Sequence, residues 1–139
     1  MQVIIETDGE FDKITRLFES SDPKLMKALK DALFESLELV RTASLTSGRI
    51  PVKTGTLKRS ITVSMSGVNL EGMVGTNLPY AAIHEFGATI TRYQAWGRPT
   101  RPYSVNYQER AYLRAPLAES AGLIQKTFDR HVAGVFAEA

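Results

Sequence analysis

The sequence has no cysteine among its 139 residues, only two histidines and a single tryptophan. Without thiols it can build neither a disulfide nor a thiolate metal or iron–sulfur site, which suits a reducing compartment. Two histidines leave little material for a metal cage or a nucleophile with its base. No segment approaches the ~20 apolar residues that span a bilayer, and Met1-Gln2-Val3-Ile4-Ile5-Glu6 carries no basic leader. The expectation is a soluble chain with no cleavable signal and no membrane partner. Internal repeats and low-complexity tracts are also missing. What remains is 43% hydrophobic, ordinary for a globular protein and enough for one domain over residues 1–139 without staples.

Charge is low overall at +2 but uneven along the chain. Residues 1–40 hold five Lys/Arg against nine Asp/Glu, net −4, and residues 41–114 hold ten against three, net +7. An acidic front and a basic middle suit head-to-tail contact between copies, or an acidic partner such as nucleic acid.

Periodicity predicts the elements. Val3–Thr7 reads as a short strand ended by Asp8-Gly9, and Phe11, Ile14, Leu17 and Phe18 recur at helical spacing. Asp22-Pro23 starts a long helix, with Leu25, Leu29, Leu33, Leu37 and Val40 as its stripe, running to about Ser44. Leu57–Ser66 reads as a strand, returning over Leu70–Asn77 through a turn at Ser66-Gly67 or at Asn69–Glu71. Pro79–Phe86 reads as one or two helical turns with Tyr80, Ile83 and Phe86 on one side, stopped by Gly87. Ala88–Tyr93 and Ser104–Tyr107 read as further strands. Pro116 opens a final helix with Leu117, Ala121, Ile124, Phe128, Val132 and Val135 as its stripe. The order argues for an α+β fold: a small antiparallel β-sheet packed against two long amphipathic helices, with a long Arg/aromatic loop. That loop, an extended arm at about 92–112, carries Arg92, Arg98, Arg101 and Arg110 with Tyr93, Trp96, Tyr103, Tyr107 and Tyr112, a composition that buried interface patches favour.

Chemistry finds little footing. His84-Glu85 hints at a zinc-protease helix, but the second histidine that motif needs four residues on is Ala88. The other histidine, His131, sits on the final helix. No serine stands in Gly-x-Ser-x-Gly, and Gly67, Gly72 and Gly75 lack the spacing and lysine of a phosphate-cradling loop. The residues therefore predict a protein that is not an enzyme and needs no cofactor. A basic strip of Arg41, Arg49, Lys53, Lys58 and Arg59 supports an alternative, a sequence-nonspecific DNA-binding or packaging accessory protein.

Two blocks combine strong backbone punctuation with little reactive chemistry. The first is Pro51-Val-Lys-Thr-Gly55-Thr-Leu57-Lys-Arg-Ser60-Ile61; the second runs from Val74-Gly75-Thr76 to Tyr80-Ala81 and His84-Glu85-Phe86-Gly87. Pro51, Gly55, Pro79, Gly87 and later Pro116 are structural turn residues. Followed by Tyr112-Leu113-Arg114-Ala115-Pro116-Leu117, these blocks resemble in order the small tail-completion and head–tail joining proteins of long-tailed bacteriophages, and the neighbouring Mu-like virion morphogenesis family. The resemblance covers about residues 25–135. It departs at Arg110-Ala111-Tyr112-Leu113, where the family often has Arg-Pro-Phe-Leu, and in the longer loop Arg92–Glu109.

The resemblance implies a virion protein that forms a homo-oligomeric ring at the neck or head-proximal end of the tail, joining or terminating the tube. Its partners would be itself and other phage neck, connector or tail-tube proteins, with a passing contact with genomic DNA and assembly in the host cytoplasm. The subunit-interface candidates are Arg92, Tyr93, Trp96, Arg98, Arg101, Tyr103 and Tyr107 on the arm, with Lys58, Arg59, His84 and Glu85 on the body.

Overall fold

A computed structural model describes residues 2–5, 23–53, 55–66, 70–92 and 102–137. The short helix expected around Phe11–Phe18 lies outside them, as do Tyr93, Trp96, Arg98 and Arg101.

Helix α1, Pro23–Thr46, is the axis of the molecule. Pro23 opens it, where a missing N–H costs nothing. Leu25, Leu29, Leu33, Leu37 and Val40 are all buried, as their spacing predicts. Fully burying one such side chain stabilises the fold by roughly 1.5–3 kcal/mol, and the stripe supplies the centre of the core.

Three antiparallel strands form a sheet in the order β1–β3–β2: β1 is Gln2–Ile5, β2 is Thr62–Met65 and β3 is Gly72–Gly75. Thr62 pairs with Gly75 and Met65 with Gly72. Ser66 N–H donates to Glu71 O at 3.0 Å, which carries the pairing one step beyond Met65 and Gly72. The central strand is buried, and a Cβ on Gly72 would come within 2.3 Å of Leu37 Cδ1. Glycine there lets helix and sheet approach closely.

The structure redraws two predicted boundaries. The strand expected over Leu57–Ser66 begins only at Thr62; before it lies a helical turn, α2, Thr56–Ser60. Gly55, at φ 73°, turns the chain, and Leu57 and Ile61, four apart, are both buried as on one helix face. Alternation starts only after Ile61. The expected single C-terminal helix is two: α4, Arg114–Glu119, and α5, Ala121–Ala137, separated at Ser120. Ser120 N–H donates to Pro116 O and Ile124 N–H to Ser120 O, each at 2.9 Å, so helical bonding continues across the break.

Layering also differs in detail from two helices on one sheet face. It is α1 that packs on β2 and β3, while α5 lies mainly along α1. Leu117, Ile124, Phe128, Val132 and Val135 pack against the core as the stripe predicts. Glu35 on α1 braces the pair: its carboxylate accepts from Arg130 and lies 2.6 Å from His131 Nε2. These contacts, His131 first, hold the Glu35 carboxyl below its ordinary 4.5.

Candidate functional site

The quoted sequence blocks meet at one place, and local geometry explains how. Helix α3, Ala81–Phe86, follows the turn at Pro79-Tyr80, with Ala81 N–H bonded to Leu78 O at 3.1 Å. Gly87 stops it at φ 73° and ψ 158°. The chain then enters a two-stranded ribbon, β4 (Ala88–Arg92) paired antiparallel with β5 (Tyr103–Tyr107). Leaving β5, it runs back across α3: Arg110 N–H donates to His84 O at 2.9 Å and Ala111 N–H to Glu85 O at 3.1 Å.

The centre of this crossing is Glu85. Its side chain is fully buried, and a buried charge needs partners. Oε2 accepts from Leu113 N–H at 3.0 Å; Oε1 accepts from Arg114 N–H at 2.9 Å and Arg114 Nε at 3.1 Å. Leu113 caps α4, so a carboxylate far away in sequence satisfies the free N–H groups of that helix and sits at the positive end of its dipole. Arg114 Nη2 also reaches Glu85 O at 3.2 Å and pairs with Glu109, while its guanidinium lies 4.4 Å over the Phe86 ring.

Tyr112 completes the knot. Its hydroxyl donates to Ala81 O at 3.1 Å and its carbonyl accepts from Ser44 Oγ at 2.6 Å, tying α3, the 110–113 crossing and α1 together. Burial, then the nearby Glu85 and Tyr80, pushes its hydroxyl up to about 12. Both Glu85 carboxylate oxygens are thus committed to donors within the subunit.

Beside the knot is a shallow cleft of about 360 Å³, lined by Pro51, Lys53, Gly55, Thr56 and Leu57 on one side and Tyr80, His84 and Tyr107 on the other. His84 meets both tyrosine rings edge-on, with centroids 6.2 Å and 5.9 Å away. The Ser60 and Thr76 hydroxyls share a 2.6 Å hydrogen bond, and Thr76 Oγ1 accepts from Leu78 N–H at 3.2 Å, joining the first block to the second.

Burial, then the charge of Arg110, holds His84 below its ordinary 6.5. The unfolded chain thus takes up the proton first, so stability is full above 6.5 and is lost as pH falls. In urea melts, the wild-type midpoint should drop on acidification below 6.5, and His84→Gln should flatten that limb. Parallel curves for the two proteins would contradict this origin.

The structure places the sequence-predicted site residues unevenly. Lys58 and Arg59 are exposed on α2. Arg92 is exposed at the end of β4 and donates to Tyr107 Oη at 2.9 Å; Tyr103 is 46% exposed on β5. Glu85 differs from that set, because its carboxylate is consumed inside the subunit. The face of α3 turned inward is Ala81 and Glu85, leaving Tyr80 and Phe86 exposed. Pro116 lies inside α4 and is buried, so the helix opens at Arg114 instead. Of the basic strip, Arg41 donates to Ile61 O at 3.0 Å and Arg49 pairs with Glu119 at 3.0 Å, so both are engaged within the chain. Among the described residues no cluster of three His, Asp or Glu is arranged to hold a metal, and no helix is long and apolar enough to cross a membrane.

Sequence reasoning missed the capping role of Glu85 and the anchor at Ser44. The available signal was a carboxylate one helical turn after Ala81, with Arg110 and Arg114 downstream; its meaning depends on a tertiary crossing that spacing does not encode.

Comparison with known proteins agrees with this arrangement of blocks. The model of the phage virion morphogenesis family matches residues 27–133, most of the chain. A curated relative, Mu-like prophage FluMu G protein 2 of Haemophilus influenzae, is 44% identical over 54 residues, covering 39% of this chain and 38% of the relative. The chain thus aligns with well under half of that relative's length. No solved structure matches.

Proposed function

This chain belongs to the phage virion morphogenesis family, with a structural or assembly role in a phage virion, and from that premise we propose that it forms a homo-oligomeric ring at the neck or head-proximal end of the tail. There it joins or terminates the tail tube, without catalysing a reaction. The observation that carries this reading is how the motif residues are used. Glu85, Arg114, Tyr112, Ser60 and Thr76 are spent on holding the subunit together, while Arg92 and Tyr103 of the β4–β5 ribbon are exposed. Such a subunit is built to present surface to neighbours.

Its partners in this reading are copies of itself and the adjoining neck, connector or tail-tube proteins, met in the host cytoplasm during assembly. Lys58 and Arg59, exposed on α2, face the acidic surface of the neighbour. Surface ion pairs contribute only ~0–1 kcal/mol each, so charge sets register while buried apolar contacts close the ring.

Mass measurement in solution with electron microscopy of the same sample tests the reading. A discrete closed oligomer, in solution or seated on tails, is the expected result; a monomer that neither assembles nor binds tails overturns it. Charge reversal by Lys58→Glu with Arg59→Glu should weaken assembly more at low salt than at high salt. Equal weakening at both would remove the electrostatic part.

A further inference from the structure

Among the described residues, two apolar surfaces of this molecule are only partly covered. The β4–β5 ribbon packs broadly on no other described element, although an isolated two-stranded ribbon is marginal in water. Its register places Thr89 opposite Asn106 and Thr91 opposite Ser104 on one face. That face satisfies itself: Thr89 Oγ1 donates to Asn106 Oδ1 at 2.9 Å, and the Thr91 and Ser104 hydroxyls lie 3.3 Å apart. The other face sets Ile90 against Val105 and Arg92 against Tyr103. It is apolar and aromatic with one guanidinium. Tyr107, opposite Ala88 on this face, packs against His84; Ile90 and Val105 are half-buried, and Tyr103 is 46% exposed.

The second surface is a groove of about 760 Å³ between α1, α4 and α5, floored by Leu29 and Leu33 and walled by Ile124, Phe128 and Phe136. Phe136 is 66% exposed. Cavities of ~300–1,000 Å³ enclose ligands of drug size, so the groove has room for a few side chains and not for a ribbon backbone. Among the described residues lining it, the one charge is Asp129. The segment from Ala88 to Gln108, by contrast, carries Arg92, Arg98 and Arg101 and no carboxylate.

We propose that the ribbon of each copy seats Ile90, Tyr103 and Val105 in the α1–α5 groove of the next copy, with Arg92 toward Asp129. The inference rests on the ring reading above and names the two surfaces that meet. Donor and acceptor faces are different, so copies add head to tail. Such a contact closes into a ring when its rotation divides a full turn. Buried aromatic and aliphatic anchors supply the binding, and charge selects the face.

The chain has no cysteine of its own, so single engineered thiols report the contact cleanly. Val105→Cys and Ala133→Cys place one on the ribbon's apolar face and one on the groove wall. Mixed and oxidised under conditions where mass shows the closed oligomer, the two variants should give a disulfide-linked pair that neither gives alone. Thr89→Cys, on the ribbon's polar face, mixed with Ala133→Cys should give none. A closed oligomer without the Val105–Ala133 cross-link, or one trapping Thr89 equally well, overturns the groove assignment and leaves the ring standing. A protein that stays monomeric alone and on tails overturns both.

Discussion

Glu85→Ala will be among the most damaging single substitutions in this protein. It strips the acceptor from the Leu113 and Arg114 N–H groups and from the Arg114 guanidinium together. Removing one partner of a buried ion pair costs ~3–5 kcal/mol. Here the arginine is 44% exposed and can rehydrate, so the orphaned amides and the vacated space dominate. A loss of about 2–4 kcal/mol is expected, a large share of the ~5–15 kcal/mol that holds a domain together. Urea unfolding should show a lower midpoint with an unchanged slope. Glu85→Gln keeps the volume and one acceptor oxygen, and should recover about half of the loss. Arg49→Ala, which breaks only the exposed pair with Glu119, serves as the contrast at ~0–1 kcal/mol. If Glu85→Ala costs no more than Arg49→Ala, the carboxylate does not organise this region.

Gly87→Ala is the second. The residue sits at φ 73° and ψ 158°, a region that only glycine enters freely, and other residues forced there lose ~1–3 kcal/mol. A Cβ would also stand 2.9 Å from both Glu109 N and Tyr107 O, backbone atoms that cannot rotate away, which adds ~1–3 kcal/mol of overpacking. The expected total is on the order of 3 kcal/mol, with faster amide exchange along β4 and β5. Gly48→Ala separates the two contributions, because Gly48 has φ 71° but open space around it. Equal destabilisation at both positions would mean that the close approach at the ribbon root is immaterial.

Much of the fold was legible because hydrophobic periodicity survives wherever burial is one-sided. The stripe from Leu25 to Val40, the alternation from Thr62 to Met65 and the strands near Ala88–Tyr93 and Ser104–Tyr107 follow from it, though not the pairing of those last two with each other. The reading failed where a residue's environment is set from afar. Leu57 and Ile61 looked like strand residues because both are apolar, yet four-residue spacing after a left-handed glycine made the turn helical. On α3 the sequence grouped Tyr80, Ile83 and Phe86 on one side, but the buried position went to a carboxylate whose donors arrive from Leu113 and Arg114. No local pattern announces a buried charge, since its stability depends on partners separated by a ribbon and a turn. Ala111, at φ 46°, makes the same point. A proline, locked near φ −65°, could neither take that conformation nor donate the N–H that Ala111 gives to Glu85 O. Position 111 in this chain therefore needs a residue other than proline.

The way the ribbon is rooted has a mechanical consequence. Both of its strands leave the body within a few residues of Glu85, Glu109 and Arg114, and these three fasten α3 to the start of α4. A tug on the β4–β5 ribbon is delivered first to that fastening. From there it passes through Tyr112 and Ser44 into the longest rod in the molecule. Strain entering at one tip is thus spread along 24 residues of α1 before any strand of the three-stranded sheet is asked to yield.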